Sequence, residues 1–480
     1  MMTMNSDIAP TKKAASILHI GPGAFHRAHQ ALYADALIRA GHLQAGIRAI
    51  CLFPPHLSAI HANQGGRHHV LLRDENGEQL NKVESLYEVL DAATEDMLSD
   101  PALQLVTMTL TEKGYCHVPG TQRLDDAAIS GDLATPDAPV TAIGWLALAL
   151  DRRRLDGLSG ITLASCDNIP ANGRLLEAVM REFVGRTRPQ LSDWMMANVT
   201  FPVSMVDRIV PRVDAEASAA IAALAGQPDA LGVAAEPFSQ WVLERRFAGP
   251  IPPLETVGVQ IVEDVAPYEL MKHRILNGAQ TALAHIGALS GFPTSAQAAA
   301  DPVLAQWLSR FVVAQAATLV CPDGEDLEAY GRLTLERLRN PHIRHQLTQI
   351  GTDSSFKLGQ RIVEAAAHHL DNEEYSNLYA LTIAAWMRYN TGRDAAGRAI
   401  PIEDPLGARF TQITTEADGD TQALADGFLA LDLFKGPIRQ DARFRSRLVA
   451  MLSALDTETP RALIAKAAAD LQEDSTCPNS

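Results

Sequence analysis

The sequence predicts an α/β domain with a mostly parallel sheet, followed by a mainly α-helical domain, and three observations predict it. Short apolar segments alternate with helical stretches through the first half, which implies a parallel sheet covered on both faces. A Gly-x-Gly turn stands between the first apolar segment and the first helix. After about Pro267, strand-like segments nearly vanish while helical periodicity continues. A chain of 480 residues exceeds what one hydrophobic core usually serves, so two domains are expected, 1–266 and 267–480.

The elements follow in order. Ile17–Ile20 is a short apolar strand closed by Gly21-Pro22-Gly23, and Ala28–Ala40 then carries apolar residues at helical spacing. Gly46–Phe53 is a second strand. His69–Arg73 and Gln79–Leu86 flank Asn76-Gly77, which predicts a hairpin through a type I′ turn with positive φ at both central residues. Leu103–Leu110 and Gly160–Ala164 are strands with the helix Ala142–Arg153 between them, and Val257–Val262 is a late strand. Helices are predicted over Glu269–Leu289, Pro302–Leu319, Asp326–Leu338, Phe356–His369, Ser376–Met387 and Pro460–Leu471, with the domain boundary near Asp264–Tyr268.

Composition removes several classes. The hydrophobic fraction of 47% supplies a core and excludes a disordered chain. No apolar run reaches the roughly 18 residues of a membrane span, and Ile17–Ile20 is too short for a secretory signal, so no membrane partner and a cytoplasmic location are expected. A net charge of −16 without a basic stripe argues against nucleic acid. It also means that an anionic substrate must be met by local Arg or Lys. The five cysteines (51, 116, 166, 321, 477) form no Cys-x-x-Cys pair, so reduced thiols are expected. The histidines show no metal spacing and no Gly-x-Ser-x-Gly elbow marks a hydrolase, so no metal site is expected.

The segment His19-Ile20-Gly21-Pro22-Gly23-Ala24-Phe25-His26-Arg27 joins strand to helix. Its two glycines allow a sharp turn and a close approach to a pyrophosphate, which a helix N-terminus favours, so Gly21, Gly23, Ala24, Phe25 and Arg27 are candidate cofactor residues of a Rossmann-like domain. His26 replaces the third glycine of the usual fingerprint, and an ordinary βα turn has the same pattern. Arg27 reads equally as a phosphate contact or as a capping or surface-paired residue. Cys51-Leu52-Phe53-Pro54-Pro55-His56, after the second strand, offers no acidic residue for an adenosine ribose, so a preference for NAD over NADP cannot be read from the sequence and NADP stays open beside NAD.

Beyond the loop, Gly21-Pro-Gly-Ala-Phe-His-Arg-Ala-His-Gln30 resembles the opening of the long-chain polyol dehydrogenases, the mannitol dehydrogenase family. The resemblance continues through Thr111-Glu-Lys-Gly-Tyr-Cys116, Ser165-Cys-Asp-Asn168 with Asn172-Gly173, Met205-Val-Asp-Arg-Ile-Val-Pro211, Glu236-Pro-Phe-Ser-Gln-Trp-Val242 and Lys272 with Asn277-Gly278. These motifs span nearly the whole chain in the same order. Asn340-Pro-His-Ile-Arg344-His345, Lys357-Leu-Gly-Gln-Arg361 and Trp386-Met-Arg-Tyr389 resemble the family branch that interconverts D-mannonate and D-fructuronate, as does Gln349, where mannitol 2-dehydrogenases carry Arg.

The resemblance implies oxidation of a secondary alcohol to a ketone, or the reverse, with Lys272 moving the hydroxyl proton and Asn168 and Asn277 donating to the developing oxyanion. A helix lysine is by itself usually a solvated one; the Lys-x-x-x-x-Asn context under the resemblance reverses that. Burial beside a positive nicotinamide ring favours the neutral form such a base requires. On an ideal α-helix Lys272 and Asn277 lie about 140° apart, so spacing alone does not make them converge. Gln280 stands where the family has a substrate-binding His, and Ser354 and Gly359 where relatives have Gly and Pro. Lys357 matches a substrate-binding lysine, and Arg344 and Arg361 are candidates to grip a carboxylate, each with a surface salt bridge as the alternative. The expected partner is a small sugar acid or polyol, on a monomer or small homo-oligomer. Alternatives are a mannitol 2-dehydrogenase or arabinitol 4-dehydrogenase, and a nucleotide-binding protein with little catalysis.

Overall fold

The computed structural model describes residues 16–52 and 56–476, with side chains to residue 469. Residues 1–15, the expected strand end at Phe53, the Pro54-Pro55 pair and Cys477 lie outside the described residues. The chain divides into two compact units, Met1–Ala266 and Pro267–Ser480.

The first unit is built on strands β1 (Ile17–Ile20), β2 (Ile47–Ile50), β3 (His68–Asp74), β4 (Gly77–Val83), β5 (Leu86–Leu90), β6 (Leu105–Met108), β7 (Ile161–Ser165), β8 (Val199–Thr200), β9 (Ser204–Asp207), β10 (Val233–Ala235), β11 (Gln240–Glu244) and β12 (Gln260–Val262). Six form a wholly parallel sheet in the order β5-β2-β1-β6-β7-β8. Ranked along the chain, these strands read 3-2-1-4-5-6, the doubly wound arrangement in which ligands bind where the order reverses, at the carboxyl ends of β1 and β6. Side chains alternate across the sheet. Leu18, Ile20, Val106, Met108, Ile161 and Leu163 enter one core, and Ile17, Leu105 and Ala164 enter the other. Each fully buried aliphatic side chain stabilises the fold by roughly 1.5–3 kcal/mol.

The hairpin is β3 against β4, but its turn differs from the expected one. Asp74 pairs with Gly77, so Glu75 and Asn76 are the central residues, and Asn76 is not among the positive-φ residues. The Asp74 carboxylate accepts the Asn76 N–H at 2.8 Å, and that local bond shapes the turn in place of the type I′ geometry. β10 joins β3 in parallel, and β12-β11-β9 form a third sheet. Leu86–Leu90 is a separate strand of the main sheet, although its first residue was expected to end the hairpin.

The second unit is helical. Gly278–Leu289 is buried at every position but Ala288 and serves as its central element, and Glu373–Asn390 packs against it. Asp301, Asp326 and Asn372 cap the helices Pro302–Ala316, Leu327–Arg339 and Glu373–Asn390 by accepting first-turn N–H groups. Two expected helices are interrupted. Glu269–Leu289 divides into Ala266–Lys272, a π-helical turn His273–Asn277, and Gly278–Leu289. Phe356–His369 divides into Ser354–Leu358, a second π-turn Gly359–Val363, and Glu364–Ala367.

Candidate active site

At the end of β1, Gly21 has φ +87° and donates its N–H to the Ile50 carbonyl at 2.9 Å. A Cβ there would lie 2.3 Å from the Thr109 carbonyl oxygen, so only glycine fits. Gly23 is different: a Cβ would meet nothing nearer than the Gly21 oxygen at 3.9 Å. The protein itself leaves open space before Gly23, which caps Ala24–Ala28 without a side-chain bond to the helix. Ala24 and Phe25 carry first-turn N–H groups of that helix. Arg27 points inward. Its Nη1 donates to the Pro22 carbonyl at 2.7 Å and its Nε to Leu231 O at 3.0 Å, so it fixes the loop from behind.

Beneath the loop lies a group of buried histidines, of which only His26 stood out in the sequence, in place of the third glycine. His19 and His26 stack with ring centroids 3.5 Å apart, and the His68 Nε2 lies 3.1 Å from the Arg27 carbonyl. Burial pushes His19 and His68 down to about 3 and His26 well below the usual histidine range, so all three are neutral. Arg208 donates to the carbonyls of Ala28, Pro237 and Phe238, and Glu236 accepts the Ile209 N–H. Two of the recognised motifs therefore anchor the end of the first helix to the strands behind it.

Asn168 is exposed, three residues beyond the end of β7. Its loop is set by neighbours. Asp167 accepts Leu110 N at 2.8 Å, Thr111 N at 2.9 Å and the Tyr115 hydroxyl at 2.6 Å. Thr111 is held at φ +62°, a strained conformation for a β-branched residue, and the Asp167 bond stabilises it. Asn172 closes the loop, donating to Asp167 O and Ser204 O, both at 2.9 Å, and accepting Ser204 N at 3.0 Å. Asp167 and Tyr115 lie in two separately recognised motifs. Nothing in either motif alone reveals that they bond to each other.

In the second unit, Lys272 ends the helix Ala266–Lys272 and is buried. The π-turn that follows has i→i+5 geometry, which narrows the angle between residues five apart below that of an α-helix, so Lys272 and Asn277 lie nearer one face than α-helical spacing gives. The Asn277 Nδ2 donates one hydrogen to Gln280 Oε1 at 3.2 Å, which orients the amide and leaves its second hydrogen for another acceptor. Thr281, not anticipated, donates to the Asn277 carbonyl at 2.8 Å and accepts from Arg361 Nη1 at 3.2 Å. Asn277, Gln280 and Arg361 therefore form one connected group.

Lys357 stands four residues before Arg361 and donates to the carbonyls of Ile350 and Thr352. Burial, reinforced by the Arg361 charge, pulls it down to about 8; Asp353 and Asp404 act in the opposite direction. Burial pulls Arg361 to about 10. His345 and His285 are pushed down to about 4, by burial first, and the Lys357 charge adds to this in both. Of the two departures from the family pattern, Ser354 accepts the Trp386 indole N–H at 2.8 Å and donates to Asp404 at 3.1 Å, and Gly359 is the first residue of the second π-turn. Arg344 is exposed in the loop 341–345. Among the described residues no group of three or more His, Cys, Asp or Glu side chains is arranged to hold a metal ion. Cys51, Cys116, Cys166 and Cys321 are free thiols, and no helix among the described residues is long and apolar enough to cross a membrane.

Known proteins resemble the chain across both units. The family model of the mannitol dehydrogenase Rossmann domain matches residues 15–256, and that of the mannitol dehydrogenase C-terminal domain matches 264–456. A D-mannonate oxidoreductase of Escherichia coli (strain K12) is 36% identical over 94% of this chain and 95% of its own. A mannitol 2-dehydrogenase of Pyrenophora tritici-repentis is 33% identical over 94% of this chain and 81% of its own. Among solved structures, Pseudomonas fluorescens mannitol 2-dehydrogenase, in a ternary complex with NAD and D-mannitol, superposes with a TM-score of 0.81 at 30% identity, covering 96% of this chain and 95% of that one. A substrate-free D-sorbitol dehydrogenase gives 0.83 at 29% identity, with 94% of each chain covered.

Proposed function

Because the chain belongs to the mannitol dehydrogenase family, we propose that it is an NAD-dependent oxidoreductase of a sugar acid, interconverting D-mannonate and D-fructuronate. The observation that carries the substrate class is a pair of half-buried cations, Lys357 and Arg361, with no carboxylate of the described residues within salt-bridge distance. Among the described residues neither Lys357 nor Arg361 makes a salt bridge, and the Arg361 guanidinium has one bond, to a hydroxyl. Two partly desolvated positive charges side by side favour an anionic ligand, and guanidinium geometry suits a carboxylate. Identity to the D-mannonate oxidoreductase over both chains supports the same reading.

Residues of the first unit suit a dinucleotide. Gly21 makes the turn, open space before Gly23 admits a ligand where a side chain would stand, and the N–H groups of Ala24 and Phe25 favour a phosphate. When bound, the dinucleotide supplies the hydride acceptor. The chain's own part is the proton and the oxygen. Lys272 takes the hydroxyl proton as the alcohol becomes a ketone, and returns it in the reverse direction. Asn277, oriented by Gln280, donates its second amide hydrogen to the oxygen as charge develops there, and Asn168 is assigned the other donor by the family resemblance.

A neutral polyol is the second reading, favoured by the mannitol 2-dehydrogenase relatives. A panel of D-mannonate, D-mannitol, D-arabinitol and D-sorbitol, run with NAD and with NADP and followed by nicotinamide absorbance, separates the two. The sugar-acid reading expects kcat/KM for mannonate to exceed that for each polyol by about tenfold or more. The opposite ranking reverses it, and cofactor binding without turnover of any of the four points to a nucleotide-binding protein.

A further inference from the structure

The second π-turn is held by a residue that no motif marks. Gln315, at the end of Pro302–Ala316, is wholly buried. Its Nε2 donates to the Arg361 carbonyl at 2.7 Å, and its Oε1 accepts the Tyr379 hydroxyl at 3.1 Å. A π-turn displaces carbonyls from the regular i→i+4 ladder, and the Gln315 amide provides a donor to one of them. Tyr379 fixes which end of the amide faces Arg361, because the end that accepts a hydroxyl hydrogen is the oxygen.

The same amide lies against the end of the first π-turn. A Cβ on Gly278 would sit 2.5 Å from Gln315 Nε2 and 3.2 Å from the Arg361 oxygen, so glycine at 278 is what lets the two turns and the amide close together. On its other side the Arg361 guanidinium reaches Thr281, whose hydroxyl bonds the Asn277 carbonyl. Arg361 is thus gripped at backbone and side chain, and both grips lead to Asn277-Gly278.

We propose that Gln315 is a positioning residue for the substrate, setting the separation between Arg361 and Asn277. This rests on the sugar-acid reading, in which Arg361 takes the carboxylate and Asn277 the oxygen under reduction, two ends of one molecule. Gln315→Glu sets a carboxylate against the Arg361 carbonyl, and Gln315→Met fills the space without a donor. Either lets the second π-turn relax away from the first.

The test is steady-state kinetics of the full chain with D-mannonate and NAD, for wild type, Gln315→Met, Gln315→Glu and Tyr379→Phe, with a thermal melt of each. KM for mannonate is expected to rise about tenfold in both Gln315 variants and about threefold in Tyr379→Phe, while kcat stays within about threefold and KM for NAD is unchanged. A bond that serves stability alone lowers the melting temperature and leaves KM where it was, and that result overturns the proposal. So does a parallel loss of kcat and NAD affinity, which marks general collapse. If the Gln315 variants do not fold, Tyr379→Phe, lacking a single hydroxyl, decides by the same criterion. Failure of the sugar-acid reading shows separately, as a wild-type enzyme that does not turn over mannonate. The variants are then assayed on the polyol it does oxidise, where unchanged KM and kcat overturn the positioning role.

Discussion

Lys357 carries a charge that depends on its setting. Burial and the neighbouring Arg361 lower it to about 8, whereas His345 and His285 at about 4 stay neutral through the working range. Between about pH 5 and pH 8, Lys357 and Arg361 are therefore the charged members of this group. A lysine is cationic below its pKa and neutral above it, so attraction for a carboxylate is present below about 8 and fades above. KM for D-mannonate should be level from about pH 6 to 7.5 and rise by about tenfold toward pH 9, while KM for a neutral polyol stays level. A mannonate KM that is flat to pH 9 contradicts the assignment of Lys357. The residue types proposed for this site come from the family resemblance. The hydrogen bond from Asn277 to Gln280 was not, because an amide pair three residues apart leaves no mark in composition.

In the proposed mechanism, the π-turn His273–Asn277 is what lets a lysine and an asparagine five residues apart serve one substrate. Periodicity read 269–289 as one helix, since a π-turn widens the coil locally without changing the apolar pattern enough to show. Deleting one residue from 273–277 should restore an α-helical register and move Lys272 by about 100° relative to Asn277. The expected outcome is a fall in kcat of at least about a hundredfold with the Kd for NAD, measured by fluorescence titration, little changed. Near-normal kcat in a folded deletion variant excludes the alignment as the reason for the turn. The short strands β9 to β12 were mostly missed for a related reason: three to five residues carry little periodic signal, and their partners are distant in the chain. By contrast, β1, β2, β6 and β7 of the main sheet were legible because both of its faces are buried, which leaves near-continuous apolar runs, whereas β5 and the two-residue β8 were not.

For the molecule as a whole, the buried histidines beneath Gly21–Gly23 dictate the response to acid. His19, His26 and His68 are neutral when folded but take a proton below about pH 6.5 when unfolded. The unfolded state then binds more protons, so stability is full above about 6.5 and falls as pH drops, by up to about 1.4 kcal/mol per pH unit for each histidine. Thermal melts should show a steep loss between about pH 6 and pH 4, eased by His68→Gln in a variant that still folds; a melting temperature constant across that range contradicts the burial of these rings as neutral groups. Acid lability of the fold and the pH dependence of substrate binding occupy different windows, so the two are separable in one protein.

The measurement closest to the central claim is kcat of Lys272→Ala at neutral pH with the substrate that the panel identifies. The account predicts a fall of about a thousandfold, with NAD affinity within about twofold of wild type. A kcat near that of the wild type means that another group carries the proton.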